Sequence, residues 1–149
     1  MQTTKTLPEQ LTDKLYAYLV NNHLDLLISL QEDHRLTPYL EQKIASVAEL
    51  IESLQAENRP PYVTEALCLE ELTRDLRPSR FNYMRELLEE EFAEAYYRMR
   101  ESGILTYEII NLIGACEPVF EVCGFSEENE DNRELHYAIT GMVSEYLER

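Results

Sequence analysis

The sequence predicts an all-α protein, a single-domain bundle of about six helices, and three observations carry that expectation. Four stretches repeat an apolar rhythm in steps of three and four: Leu40, Ile44, Val47, Ile51, Leu54; Phe81, Met84, Leu88, Phe92, Ala95, Met99; Ile109, Ile113, Cys116, Phe120, Cys123; and Leu135, Ile139, Met142, Tyr146. Such spacing marks one face of a helix packed lengthwise on another. Proline, glycine and capping residues fall between these stretches, where helices should start and stop. At 149 residues with 44% hydrophobic content, the chain is long enough to bury roughly 68–70% of its unfolded surface in one core, with no disulfide or metal required.

Taken in order, Pro8 suits the first turn of the opening helix, in which Leu11, Leu15 and Tyr18 or Leu19 face inward before Asn21-Asn22 ends it. Leu24, Leu27 and Ile28 mark a short helical turn. Thr37-Pro38 reads as a cap and first residue for a helix running to about Asn58. After the Pro60-Pro61 break, a shorter helix is expected to turn Ala66, Leu69, Leu72 and Leu76 inward. Pro78-Ser79 then opens a helix to Ser102, closed by Gly103 in the left-handed position. Thr106 is placed as the cap of the next helix, and Pro118 should kink or break it, because its ring opposes the carbonyl of Gly114. Gly124 ends that helix. An acidic loop over Ser126 to Asn132 leads to a last helix from about Asn132 to Glu148.

A formal net charge of −16 comes from 29 acidic and 13 basic side chains. Residues 1–75 carry −7 and residues 76–149 carry −9, and neither a linker nor an internal repeat is visible. This excess favours solubility and repels anionic surfaces, so nucleic acid and acidic lipid are not expected as direct partners, and a basic protein is. Met1 to Gln10 is polar and lacks the apolar core of a secretory leader. No uncharged apolar run approaches the roughly 20 residues of a membrane helix, and three cysteines without C-x-x-C spacing fit a reducing compartment. The expected location is the cytoplasm.

Chemical signatures are missing. No His has a Glu three positions before it, as binuclear carboxylate sites in bundles require, and H-E-x-x-H, P-loop, G-x-G-x-x-G and G-x-S-x-G patterns are absent. The run Glu127, Glu128, Glu130, Asp131 offers no register with both the glycine and the terminal glutamate of a calcium loop, so it reads as a solvated loop. Cys116 and Cys123 share a seam but lie about 10 Å apart along a helix, too far for a disulfide, and read as small buried hydrophobes. No catalytic residue, cofactor or metal ligand is expected.

Two features stand above this background. Arg74, Arg77, Arg80 and Arg85 form a basic island around the connection at residues 76–79. A helix, a turn and a second helix opened by Arg80, Asn82 and Tyr83 have the outline of a DNA-reading helix-turn-helix. Against it, Glu86, Glu89, Glu90, Glu91 and Glu94 follow and would repel phosphate, so the arginines are expected to pair with carboxylates of the bundle or with an acidic group of a partner. The second feature is tyrosine, ten residues against four Phe and no Trp. Tyr96-Tyr97, followed by Arg98 and Arg100, cannot all point inward, because adjacent helix positions diverge by about 100°. Tyr97 falls off the seam, and tyrosine with arginine on a surface is the composition of an interaction hot spot.

The segments Pro78-Ser79-Arg80-Phe81-Asn82-Tyr83, Leu88-Glu89-Glu90-Glu91-Phe92, Cys116-Glu117-Pro118-Val119-Phe120 and Thr140-Gly141-Met142 resemble an uncharacterised domain family of small acidic all-helical proteins. Its members are found chiefly in Bacteroidetes, often near mobile elements. The resemblance covers residues 11 to 147 and implies an all-α fold; it brings no active site, cofactor or substrate.

The expected function is therefore a non-catalytic protein–protein interaction module, either self-associating or bound to another protein, with Arg77, Arg80, Arg85 and Tyr97 as candidate partner contacts. One alternative is a DNA mimic that occupies a basic nucleic-acid-binding protein, which requires carboxylates aligned along one face. The other is an enzyme, betrayed by a deep pocket holding a perturbed carboxylate or His.

Overall fold

A computed structural model describes residues 5–148, so the expectation made for the polar start is described only from Lys5 and its first residues lie outside the described ones. The all-α expectation holds: nine α-helices and one 3-10 turn, with no strand, occur among the described residues. The count exceeds six because two expected helices each divide at a single residue and the short turn expected at Leu24 is a helix of its own. No helix among the described residues is long and apolar enough to cross a membrane. Backbone packing separates two compact units, one ending at Leu76 and one beginning at Arg77.

In the first unit, α1 (Leu7–Asn22) starts where Thr6 accepts the Glu9 amide on its hydroxyl, the cap that Pro8 implied. Its face of Leu11, Leu15 and Leu19 is fully buried, and the helix packs on α2 (Leu24–Glu32), α3 (Leu36–Ser46) and α5 (Pro61–Thr73). The helix expected over residues 38–58 is split into α3 and α4 (Ala48–Ala56) at Val47, which is itself buried. Thr37-Pro38 lies within the first turn of α3 and does not cap it. The inward face of α5 is also corrected: Thr64, Cys68 and Leu72 are buried, Ala66 is exposed and Leu69 is half-buried. Glu65, Glu70 and Glu71 are spread around α5 among its apolar residues, so periodicity alone could not choose its face. A 3-10 turn at Arg74–Leu76 closes the unit.

In the second unit, Ser79 caps α6 (Arg80–Glu91) by accepting the Asn82 amide at 3.0 Å, as expected. The helix expected to reach Ser102 divides at Phe92 into α6 and α7 (Ala93–Glu101). Helix α8 (Leu105–Cys123) follows Ile104, and Thr106 does not cap it. The expected break at Pro118 does not occur; the proline lies inside continuous α8. Both Pro118 and Gly114 are exposed, so water reaches the carbonyl that the missing N–H leaves free. Asn132 caps α9 (Arg133–Leu147) by accepting the Leu135 amide at 3.0 Å, and α9 packs on α8.

The two units repeat one backbone plan, which the sequence did not disclose. His23 (φ −141°, ψ 53°) and Phe92 (φ −136°, ψ 48°) each form a one-residue bend between helices, and the following helices, α2 and α7, both have 9 residues. Each ends in a left-handed residue, His34 (φ 56°) or Gly103 (φ 76°). Arg35 (φ −111°, ψ 2°) or Ile104 (φ −109°, ψ 0°) then enters the next helix. Every one of these pairs is separated by the same interval in the chain. Buried positions keep that interval too: Leu15, Leu19, Leu27, Leu30, Val47 and Ile51 correspond to Met84, Leu88, Tyr96, Met99, Cys116 and Phe120. The correspondence is one of apolar character, since few positions share a residue type, Leu19 with Leu88 and Ile44 with Ile113 among them.

Candidate functional site

The arginine island is engaged largely within the protein. Arg80, placed at the first position of α6 by the Ser79 cap, donates to Glu121 at 3.1 Å and lies 5.0 Å from the Phe120 ring centroid. Arg77 approaches Glu127 at 3.8 Å, and Arg74 pairs with Glu71 at 2.6 Å within the first unit. Arg85 is half-buried and makes no ion pair among the described residues. The carboxylates that hold Arg77 and Arg80 come from the end of α8 and the loop after it. They are not the glutamates following on α6, which are exposed and pair with neither arginine among the described residues.

Beside Arg80 lies an aromatic cluster in which Tyr83 meets Phe120 and Phe125 edge-on, with ring centroids 5.9 Å and 5.2 Å away. The Tyr83 hydroxyl is buried without a hydrogen-bond partner. Burial, followed by the charges of Cys123, Asp131 and Cys116, pushes its pKa up to about 12. Burial likewise raises the Cys116 thiol to about 11, so both groups stay protonated at neutral pH, the reverse of what a nucleophile needs. Cys123, expected on the buried seam, is exposed. It sits in the last turn of α8, where the seam runs past the packed part of the helix. The acidic loop is held by Asn129, whose amide donates to the carbonyls of Cys123 and Gly124 at 2.8 Å and 2.9 Å and whose carbonyl accepts the Ser126 amide at 2.7 Å. No group of three metal-ligating side chains is found among the described residues.

Tyr97 stands elsewhere, on the outer face of α6–α7. Here Glu86, Glu89, Glu90 and Glu94 are exposed and make no ion pair among the described residues, while Glu91 meets His136 at 3.4 Å. At the Phe92 bend a concavity of about 420 Å³ is lined by Glu91, Phe92, Ala93, Glu94, Ala95 and Arg98. Beyond it Tyr97 is 48% exposed, its ring edge against buried Tyr96 at 5.1 Å. Arg98 and Arg100 are exposed and, among the described residues, form no ion pair despite the surplus of carboxylates. The turn to α8 adds Ile104 and Tyr107, 45% and 61% exposed.

Of the residues singled out from sequence, Arg77 and Arg80 thus cluster at the α6 start with the α8 end, whereas Tyr97 belongs with Arg98 and Arg100 on α7. Sequence reasoning missed Ile104 and Tyr107. No signal in the sequence would have found them: Phe125 also follows a helix-ending glycine directly and packs inward against Phe120, whereas Ile104 after Gly103 is exposed. No family model, curated protein or solved structure matches the chain.

Proposed function

We propose that the protein is a non-catalytic interaction module that docks through the outer face of α6–α7. One observation carries the reading: exposed Tyr97 flanked by exposed Arg98 and Arg100, with those arginines outside any ion pair among the described residues. In a chain of net charge −16, arginines that leave nearby carboxylates unengaged keep their donors available to a partner. Tyrosine offers a large, stiff contact area at small entropic cost, and the two residue types are enriched where binding energy concentrates.

The test compares wild type with Tyr97→Ala and with Arg98→Ala/Arg100→Ala in capture from a native lysate, with mass spectrometry of the retained proteins. Positions on this face are exposed, so thermal melts should be unchanged. A specifically retained protein should be lost from both variants, by roughly 30-fold in affinity for a hot-spot residue. Retention of every captured protein by both variants would sink the reading. The DNA-mimic alternative draws on Glu86, Glu89, Glu90 and Glu94 alone; it is supported if duplex DNA displaces the captured protein and Tyr97→Ala does not.

A further inference from the structure

The geometry points to a second copy of this chain, docked antiparallel on the α6–α7 outer face, as the occupant of that surface; the inference rests on the interaction-module reading above. The face is polarised along its length. Exposed Glu86, Glu89, Glu90 and Glu94 occupy one end, and exposed Arg98 and Arg100, with a single exposed carboxylate beside them at Glu101, occupy the other; none of these is in an ion pair among the described residues. A basic partner would satisfy the glutamates and oppose the arginines, and an acidic partner would do the reverse. An antiparallel copy complements both ends, because a two-fold axis through Tyr97 sets Glu94 of each chain opposite Arg100 of the other. Self-complementarity of this kind is the requirement for a closed, symmetric dimer.

The apolar part of the face points the same way. Tyr97, Ile104 and Tyr107 are 48%, 45% and 61% exposed, and under the two-fold the Tyr97 rings meet at the axis. The fold itself does not demand these side chains. At the corresponding places in the first unit stand Ile28, half-buried, with Arg35 and Pro38, while Ser29 and Gln31 replace Arg98 and Arg100. The same backbone therefore closes without aromatics or paired arginines at this corner, and their presence on α7–α8 answers to something outside the chain. Two turns of helix on either side of an axis make a small interface, so self-association in the micromolar range or weaker is expected for a buried area under about 1,200 Å².

Sedimentation velocity on the full chain over a concentration series tests this. A species of twice the 17.5 kDa chain mass should grow with concentration. Glu94→Arg and Arg100→Glu should each weaken dimerisation about tenfold or more by placing like charges opposite one another, and the double variant should restore it. Both positions are exposed, so circular dichroism should show unchanged helicity. Wild type that stays monomeric at its highest soluble concentration overturns the inference, as do single variants that dimerise normally or a double variant that does not recover. A monomer that still captures another protein through Tyr97 would leave the interaction-module reading standing while removing the second copy from it.

Discussion

Tyr83 is a polar group that burial leaves unsatisfied, and this gives a first prediction. Replacing it with Phe removes an orphaned hydroxyl, so stability at neutral pH should be unchanged or raised by up to about 1 kcal/mol. The folded state holds the Tyr83 proton more tightly than the unfolded chain, since the phenol moves from 10.0 to about 12. The resulting stability is complete below pH 10.0 and is lost as pH rises to about 12. Cys116 acts in the same direction between 9.0 and about 11. Denaturant midpoints measured across this range should fall, and less steeply for Tyr83→Phe; an identical decline would contradict the burial of that hydroxyl. Phe120, fully buried between Tyr83 and Phe125, should cost about 3–5 kcal/mol on truncation to Ala. Phe92 is only half-buried at its bend and should cost clearly less, although the two occupy comparable places in their seams. Thiol labelling separates the cysteines: Cys123 should react rapidly in the native protein, and Cys68 and Cys116 only after unfolding, with fast labelling of all three refuting the burial pattern. These residue-level contrasts mark what hydropathy could convey. Cys116 and Phe120 were legible because neighbours on both sides kept the period, whereas Cys123 kept the period after the packing had ended.

At the scale of the element, four helices end alike. The amides of Arg35, Arg59, Ile104 and Phe125 reach back to the carbonyls of Leu30, Leu54, Met99 and Phe120 at 2.8–3.2 Å, across a left-handed residue at His34, Asn58, Gly103 and Gly124. Two of these residues are glycines and were read correctly as stops. His34 and Asn58 adopt the same conformation with a Cβ that opposes it. Glycine at His34 should relieve about 1–2 kcal/mol of strain and lose about half of that to the unfolded chain. A net gain near 1 kcal/mol is expected in chemical denaturation, with a smaller gain for Asn58→Gly, since Asn tolerates the conformation better. Destabilisation by His34→Gly would argue against the turn. Helix starts at Ser79 and Asn132 were legible at the capping residue itself, whereas the start after Thr6 was legible only through Pro8. Those at Leu24, Leu36, Ala48, Ala93 and Leu105 have no side-chain cap, so Thr37 and Thr106 drew the starts of α3 and α8 two residues late, nothing announced the starts at Ala48 and Ala93, and the expected helices ran straight through Val47 and Phe92.

Across the whole molecule, the repeated plan was hidden because it is written in burial and backbone angle, with the polar surface free to differ. That freedom shows in charge: the net −16 is a property of the surface, and it opposes compaction through self-repulsion. Raising salt from about 10 mM to about 150 mM shortens the Debye length from roughly 30 Å to roughly 8 Å, so the melting temperature should increase; a decrease would mean that the ion pairs at Arg80 and Arg77 outweigh the repulsion. The bends at His23 and Phe92 bear on how such a chain can change over time. At each bend the hydrogen-bond ladder is nearly unbroken: His23 and Phe92 donate to Leu19 and Leu88 at 2.8 Å and 2.9 Å, and their own carbonyls accept from Leu27 and Tyr96 at 2.9 Å and 2.8 Å. With no loop between the helices there is no slack to absorb a length change. One inserted or deleted residue there would rotate everything downstream by about 100°, carrying Leu27 and Leu30, or Tyr96 and Met99, out of the core. Insertions and deletions should therefore be confined to the segments after Asn58 and Gly124, where the two units already differ in length.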